Sequence, residues 1–358
     1  HTTAIASWLQ KATQPMARKA AAMRWRSRRS AMGFSPSCHG RIDLARPVAL
    51  IFLRSPQDVD TPTALALGSF DGVHAGHRRV MAAVVEAARQ RPQLLPTVLT
   101  FWPHPREVLA GERRLRLDLP EEKLSCLEEL GIKQLVLVPF NRALAALTPE
   151  QFVQQVLLDQ LQAGAIAIGE NFRFGVKRSG GPEDLVRLAA AAGVTVEVLP
   201  MLADHGLRVS SSRIRQALAE ADLKEAVRLL QRPYRFQGLV VRGRGLGRGL
   251  GWPTANLQVD GRKCLPKEGV YAAWVQRSDG KKLAAVMNLG RQPTIDPQAP
   301  SAVEVHLLGV DLQLEGETLT VEPRQWLRGQ CTFASLAELS AQIAKDAAAA
   351  AEFLASDC

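Results

Sequence analysis

The sequence lacks the features of a membrane-spanning or disulfide-bonded protein. Its 358 residues contain no apolar run close to the roughly 20 residues that a membrane helix needs, and the longest candidate, residues 48–52, ends just before Arg54. Only five cysteines are present, widely spread and without a CxxC pair. We therefore expect no membrane partner, no disulfide framework and no structural zinc site, and we expect a reducing, cytoplasmic location.

Acidic residues are also absent from the beginning of the chain, so most of the positive net charge lies in that part of the sequence. Eight Lys and Arg residues precede the first acid, Asp43, which leaves only +2 of the net charge of +10 for the rest of the sequence. The rest of the sequence is nearly neutral and lacks the excess of positive charge that is typical of nucleic-acid-binding domains, so we expect no nucleic-acid partner. Residues 1–60 are predicted to be a basic, disordered extension, and their composition also resembles an organelle transit peptide.

The length favours two domains, and the first has an alternating pattern. From Thr63 onward, short apolar runs that predict buried strands alternate with amphipathic stretches that predict helices. The strand runs are TALAL, LPTVLTF, KQLVLVPF, AIAI and VTVEVLP, and the helices are expected at about 77–89, 121–130, 149–161, 183–192 and 212–221. Residues 61–232 are therefore predicted to form a parallel, doubly wound α/β sheet that binds ligands at the carboxyl ends of its strands.

After residue 232 the pattern becomes that of an all-β domain. Six short strand-like runs are separated by Gly, Pro, Asp and Ser turns, and an Ala-rich stretch over residues 336–354 follows them. The runs are YRFQGLVVRG, ANLQV, GVYAAWVQ, KKLAAVMNLG, SAVEVHLLGV and ETLTVEP. Residues 233–358 are predicted to form a six-stranded antiparallel β-barrel with a C-terminal helix.

The first strand-to-helix turn, GSFDGVHAGHR, predicts a phosphate site. His74 and His77 lie three residues apart where the helix begins, and Gly72 and Gly76 flank them. Glycines allow close approach of the backbone, and the free amides of a helix start bind anions. A surface or capping role explains one histidine well, but it explains two at this place poorly.

Three further segments of the first domain contain candidate ligands. The last turn, VSSSRIRQAL, combines hydroxyls with two arginines and suits the phosphates of ATP. TFWPHP follows the second strand, and in GENFRFG an aromatic pair, Phe172 and Phe174, can stack on a planar ring while the amide of Asn171 bonds its edge. A core role for either phenylalanine remains open.

In the second domain, the glycine-rich segment GRGLGRGLGWPTAN stands out. Its glycines can form an arch around phosphates, although such a run can equally be a flexible linker. The hydroxyl of Thr254 and the amide of Asn256 are hard ligands that Mg²⁺ accepts beside ATP phosphates. Farther on, strand alternation predicts that Glu304 and His306 share one face, where a carboxylate could accept a proton.

These motifs together resemble one family. G-x-F-D-G-x-H-x-G-H resembles the nucleotidyltransferases and, more narrowly, bacterial bifunctional riboflavin kinase/FAD synthetases, and so do S-S-S-R-I-R, the arch with PTAN, GVY, MNLGRQPT and the E-x-H strand. The resemblance implies a Rossmann-like nucleotidyltransferase domain that adenylylates FMN to FAD with release of pyrophosphate. It implies a barrel that phosphorylates riboflavin to FMN, with ATP and Mg²⁺ serving both steps, so that riboflavin, FMN, FAD and ATP are the expected partners.

The resemblance also implies the site residues. Those for catalysis are His74, His77 and Glu304, and those for ATP and phosphate in the first domain are Gly68, Phe70, Asp71, Gly72, Gly76, Ser210, Ser211, Ser212, Arg213 and Arg215. Those for flavin in the first domain are His104, Asn171, Phe172 and Arg178. In the barrel, the implied ATP and phosphate residues are Gly243, Gly247, Arg248, Gly251, Pro253, Thr254 and Asn256, the flavin residues are Asn288, Arg291 and Arg328, and the Mg²⁺ ligands are Thr254 and Asn256.

Some positions depart from the family pattern. Ser212 stands where threonine is usual, Trp102 where an acid is common, and Gln330 where glutamate is common. Two alternative functions remain open, a nucleotidyltransferase for a different acceptor and a flavin-binding regulator whose catalysis has lapsed. Weak self-association also remains open.

Overall fold

The first part of the fold is a six-stranded parallel sheet. The computed structural model describes residues 52–112, 114–243, 246–249, 251–290 and 303–357. The sheet has the strand order β1-β4-β3-β2-β5-β6, and each neighbouring pair is parallel. Its strands are β1 (Phe52–Arg54), β2 (Thr63–Leu67), β3 (Leu95–Trp102), β4 (Gln134–Pro139), β5 (Ala163–Gly169) and β6 (Thr195–Leu199).

Helices connect these strands close to the predicted positions. They are α1 (Ala75–Gln90), α2 (Pro105–Ala110), α3 (Pro120–Glu129), α4 (Arg142–Ala145), α5 (Pro149–Gln151, continued as a π-helix over Phe152–Gln160), α6 (Pro182–Ala190), α7 (Ser211–Ala219) and α8 (Leu223–Leu230). A small hairpin of β7 (Ala203–Asp204) and β8 (Leu207–Arg208) precedes α7. Prolines begin four of these helices, because proline has no amide to leave unpaired at a helix start.

The strand order places the crevice of the sheet at β2. The chain runs from β2 to β3 on one side and later enters β5 on the other side, so the order reverses at this central strand. In open α/β sheets, ligands bind outside the carboxyl ends of the strands at such a reversal. The segments that follow β2 and β5 are the predicted GSFDGVHAGHR and GENFRFG turns.

The structure corrects the predicted limit of the N-terminal extension. Residues 52–54 form β1, which pairs in parallel with β4 at the edge of the sheet, and Val59 is buried in the core beneath it. Ordered structure therefore begins before residue 60, because this apolar segment completes a sheet edge. The rest of the predicted extension, residues 1–51, lies outside the described residues, and the domain limit at residue 232 stays a prediction.

The second part of the fold is a closed antiparallel barrel, as predicted. Its strand order is β10-β13-β12-β11-β14-β9, where the last strand pairs with the first. The strands are β9 (Phe236–Val241), β10 (Ala255–Gln258), β11 (Gly269–Gln276), β12 (Lys282–Leu289), β13 (Val303–Leu307) and β14 (Thr318–Arg328), with α9 (Leu246–Gly249) between β9 and β10. The C-terminal helix α10 (Leu336–Ser356) packs its alanines against β11 and β12 on the outside of the barrel.

One apolar core joins the barrel to the last helices of the sheet domain. Ile214 of α7 and Leu229 of α8 belong to the same cluster as Phe236 and Tyr271 of the barrel. All four side chains are almost fully buried. The described cysteines are free, and no helix among the described residues is long and apolar enough to cross a membrane.

Comparing two shortened chains should reveal the contribution of β1. A chain starting at residue 60 loses β1 and the burial of Val59, so its free energy of unfolding should be about 2 kcal/mol lower than that of a chain starting at residue 51. Urea unfolding measures the difference. Equal stability of the two chains would contradict a structural role for β1.

Candidate active sites

The two histidines of the first turn meet at the start of α1. His74 is the N-cap of this helix, and its Nδ1 atom accepts a hydrogen bond from the backbone N–H of His77 at 3.4 Å. The two imidazole rings stack with their centroids 3.5 Å apart. An H-x-x-H spacing at a helix start thus places both rings and the free amides of the first turn together.

A cavity of about 490 Å³ opens at this helix start, at the carboxyl edge of the sheet. Most of the site residues expected in the first domain line it, although they come from five separate segments of the chain. The expected residues in its wall are Gly68, Phe70, His74, Gly76, His77, His104, Asn171, Phe172, Arg178, Ser210, Ser211 and Ser212. The fold therefore brings these residues together at one cavity.

Four arginines in the wall of this cavity were missed by the sequence analysis. Together with Arg178 they give the cavity a strongly cationic lining, which favours phosphate-bearing ligands. They are Arg106, Arg114, Arg173 and Arg208. Arg208 precedes the serine run by two residues and Arg106 follows His104 by two, so closeness to a motif was the available signal.

The environment keeps both histidines neutral. Burial, and next the charge of Arg208, lowers the pKa of His74 from 6.5 to about 4. Burial, and next the adjacent His74, holds the pKa of His77 well below its usual value. Since Nδ1 of His74 accepts a hydrogen bond, its proton lies on Nε2, which makes Nε2 the donor for a ligand oxygen.

Two predicted ATP ligands in the last turn lie outside the cavity wall. Arg213 pairs with Asp204 at 3.2 Å and with Glu225 at 2.7 Å, and Arg215 pairs with Asp71. Because these carboxylates neutralise both guanidinium groups, the geometry does not support them as phosphate ligands. They instead fix the helix that presents the serines to the cavity.

Asp71 and Gly72 also lie behind the wall of the cavity. The Asp71 carboxylate accepts hydrogen bonds from the backbone N–H groups of Leu117 at 2.9 Å and Asp118 at 3.4 Å. Gly72 has a φ of +91°, and a side chain there would lie 2.7 Å from Leu117. Both residues therefore shape the turn that carries His74, and the geometry does not place them against a ligand.

The two phenylalanines of GENFRFG lie in different places, one in the cavity wall and one in the core. Phe172 lines the cavity, whereas Phe174 is buried and packs against Phe152 with ring centroids 5.6 Å apart. Trp102 contacts two cations, with the guanidinium of Arg116 5.3 Å and that of Arg262 5.0 Å from its ring centroid. A tryptophan at the place of an acid thus makes two cation–π contacts.

The barrel contains two adjoining cavities with a common wall. One has a volume of about 400 Å³ and the other of about 930 Å³, and Thr254 and Asn256 line both. Asn256 lies opposite Glu304 in the β10–β13 pair, and Glu304 lies opposite Asn288 in the β12–β13 pair. As predicted, the valines of β13 point into the core while Glu304 and His306 line the larger cavity.

Close packing explains two glycines of the arch. A Cβ atom on Gly243 would lie 2.0 Å from Nδ2 of Asn256, and one on Gly247 would lie 2.3 Å from the backbone oxygen of Trp252. Pro253 lines the smaller cavity, whereas Gly251 is exposed and lies outside both walls. The Arg248 side chain lies outside the described part of the chain.

Two polar pairs also line the larger cavity. Arg328 pairs with Asp346 of α10 at 2.7 Å, and the Gln330 amide donates to Oδ1 of Asn288 at 2.9 Å. A glutamine at this position can donate to an amide oxygen, which a glutamate cannot do. Arg291 lies outside the described residues, so its predicted flavin role stays a prediction.

Comparisons with known proteins agree with this architecture. The FAD synthetase family matches residues 56–213, and the riboflavin kinase family matches residues 230–354. Bifunctional riboflavin kinase/FMN adenylyltransferases from Escherichia coli strain K12 and Pseudomonas fluorescens are 39% and 38% identical, over 81% and 79% of this chain and 92% and 90% of theirs. A crystal structure described as a macrolide-efflux protein from Streptococcus pneumoniae has a TM-score of 0.72 at 30% identity, over 83% of this chain and 97% of that one.

The chain belongs to the bifunctional riboflavin kinase/FMN adenylyltransferase family. It carries an FAD synthetase domain followed by a riboflavin kinase domain, which confirms the fold class and the function expected from the motifs. The sheet cavity lies in the FAD synthetase domain and the two barrel cavities lie in the riboflavin kinase domain. The individual site residues stay predictions.

We expect Gly243→Ala to lower riboflavin phosphorylation by about tenfold or more. The added methyl would push the Asn256 side chain out of the common wall, because no space exists between them. Gly249→Ala is the matched control, since no atom lies within 4 Å of its added methyl. Steady-state rates of FMN formation measure both variants, and equal rates for the two would contradict the close-packing argument.

The neutral His74 should make stability fall at acidic pH. Its lowered pKa means that the unfolded chain binds more protons between about pH 4 and 6.5, so stability decreases as the pH falls through this range. Between pH 7 and pH 5, the lowered pKa of His74 should account for a decrease of about 2 kcal/mol in the free energy of unfolding. Urea unfolding of His74→Asn at pH 7 and at pH 5 should show a loss of stability that is smaller by that amount. An unchanged loss in His74→Asn would contradict the prediction.

Proposed function

We propose that each domain uses the residues described above for one step of FAD synthesis. The barrel phosphorylates riboflavin to FMN, and the sheet domain adenylylates FMN to FAD. The observation that supports this assignment best is that Thr254 and Asn256 line both barrel cavities, because an ATP in one cavity and a flavin in the other would then meet beside these two residues. Transfer of a phosphoryl group needs this proximity and alignment.

In the kinase step, the primary hydroxyl of riboflavin attacks the γ-phosphorus of ATP. The new O–P bond forms as the bond to the departing ADP breaks, and the carboxylate of Glu304 accepts the hydroxyl proton. Glu304 suits this role because it faces the larger cavity, beside Asn256 and Asn288 on the neighbouring strands. His306 supports the wall, since its Nδ1 lies 2.8 Å from the backbone oxygen of Pro253.

In the adenylyl step, a phosphate oxygen of FMN attacks the α-phosphorus of ATP and pyrophosphate leaves. The protein forms no covalent bond, so its contribution is positioning and stabilisation of the charge that develops on the α-phosphate. Nε2 of His74 and the amides at the start of α1 donate to these oxygens. The cavity arginines and the hydroxyls of Ser210 and Ser212 hold the remaining phosphates, whereas the Ser211 hydroxyl donates to the backbone oxygen of Asp71.

We also propose that Mg²⁺ accompanies ATP in the barrel. Among the described residues, no group of three or more His, Cys, Asp and Glu side chains could hold a metal by itself. The hydroxyl of Thr254 and the amide of Asn256 fit a Mg²⁺ ion whose other ligands are phosphate oxygens and water. Bound there, the ion would neutralise charge on the transferred phosphate.

We also propose a cytoplasmic location, because five widely spread cysteines without a CxxC pair fit a reducing compartment.

Two variants should each lose a different step, Glu304→Gln the phosphorylation of riboflavin and His74→Ala the adenylylation of FMN. Glu304→Gln keeps size and hydrogen bonding but removes the base, so FMN formation from riboflavin should fall by about 10² or more, while supplied FMN is still converted to FAD. His74→Ala should do the reverse and let FMN accumulate. Chromatography of the flavins measures both reactions, and chelating Mg²⁺ should stop the kinase step in the unchanged protein. Loss of both products in either folded variant would contradict the two-site assignment.

A further inference from the structure

The turn that carries His74 has an unfavourable backbone conformation. Between β2 and α1, Phe70 and Val73 both have a φ of +43°, and Val73 is fully buried. A β-branched residue adopts this region only when its surroundings impose it. The position of the catalytic histidines therefore depends on whatever holds the turn.

Hydrogen bonds to the backbone and side chain of residues 71 and 72 hold the turn. Ser211 donates to the backbone oxygen of Asp71 at 2.7 Å, and Arg232 donates to that of Gly72 at 3.2 Å. The Asp71 carboxylate binds the backbone N–H groups of residues 117 and 118. Segment 115–118 is thus the anchor of the turn.

The barrel in turn holds segment 115–118. The N–H of Arg116 donates to the oxygen of Arg262 at 2.7 Å, and the N–H of Cys264 donates to the oxygen of Arg116 at 2.7 Å. Between these two bonds, the ammonium group of Lys263 donates to the oxygen of Leu117 at 2.6 Å. The barrel segment 262–264 therefore adds a short strand-like pairing to the sheet domain.

Lys263 is the centre of this contact. It is fully buried, and its ammonium group also donates to Glu122 of α3 at 2.6 Å and to the oxygen of Arg235 at 2.9 Å. Burial of a lysine is costly unless its ammonium group has a full set of hydrogen-bond acceptors. The three acceptors of Lys263 therefore fix the relative positions of the segments that carry them. Arg232 completes it by pairing with the buried Asp118 at 2.7 Å.

Neither cation lines a cavity. Lys263 and Arg232 are absent from the walls of the sheet cavity and of both barrel cavities. They reach the adenylyl-transfer site through segment 115–118, through the oxygen of Gly72 and through α3, where Glu122 binds Lys263 and Lys123 donates to the backbone oxygen of Ser69 at 3.1 Å. Any effect of these side chains on adenylyl transfer must therefore pass through the turn.

We infer that Lys263, a barrel residue, and Arg232 are positioning residues for adenylyl transfer in the other domain. This inference rests on the proposed function of the sheet cavity. The barrel then has two roles, since it phosphorylates riboflavin and also holds the His74 turn in its strained conformation. Adenylyl transfer depends on this contact, whereas riboflavin phosphorylation does not, because neither Lys263 nor Arg232 lines a barrel cavity.

The test is Lys263→Met in the full chain, with supplied FMN and ATP in one assay and riboflavin and ATP in another. We expect kcat for FAD formation to fall about tenfold or more with KM for FMN changed less than about threefold, because a displaced turn weakens transition-state stabilisation. FMN formation should stay within about twofold. Lys282→Met is the matched control, since the described contacts of Lys282 are Glu322 and Trp274 within the barrel, and it should leave both rates unchanged.

A double variant separates positioning from stability. Lys263→Met leaves the Glu122 carboxylate buried without its cation and should lower the melting temperature. Adding Glu122→Gln removes that charge and should recover part of the loss, because the glutamine still accepts one of the two backbone N–H groups, of Leu119 and Gln237, that the carboxylate binds. We expect FAD formation to remain low in the double variant. Recovery of the rate together with stability, or an unchanged rate in folded Lys263→Met, would overturn the inference. A failure of the unchanged protein to make FAD would instead contradict the proposed function itself.

Discussion

The carboxylate of Asp71 connects three parts of the sheet domain that are far apart in the chain. It accepts the backbone N–H groups of residues 117 and 118 and pairs with Arg215 of α7. The turn before α1, the segment before α3 and helix α7, which begins within the serine run, are thereby fixed to one another. Because His74 belongs to the first part and Ser210 adjoins the last, the shape of the sheet cavity depends on this buried carboxylate.

The barrel depends on a different constraint, the register of its strands. Because side chains alternate along a strand, a shift of one residue would turn Glu304 into the core and a valine into the cavity. The observed register aligns Asn256, Glu304 and Asn288 across three neighbouring strands. The lining that the two cavities share is thus set by backbone hydrogen bonds, and Gly243 lets the arch lie directly against Asn256.

Several residues that line the cavities could be predicted because their motifs are local. The spacing of His74 and His77 at a helix start and the order of Thr254 and Asn256 after a proline are properties of short segments. In contrast, Arg213 and Arg215 looked like phosphate ligands because their partners, Glu225 and Asp71, are set by packing. Arg208 and Arg114 were missed for the same reason, since their cavity is formed by segments about a hundred residues apart.

The sequence by itself determined the fold class, the family and the motifs that line the cavities, because periodicity, glycines and motif spacing act over a few residues. Only the tertiary structure decided which charged side chains face a ligand and which are neutralised inside the protein. It also decided that Lys263 of the barrel and Glu122 of the sheet domain meet in a buried ion pair. The physical reason is that burial and pairing depend on contacts between distant segments, which no local pattern specifies.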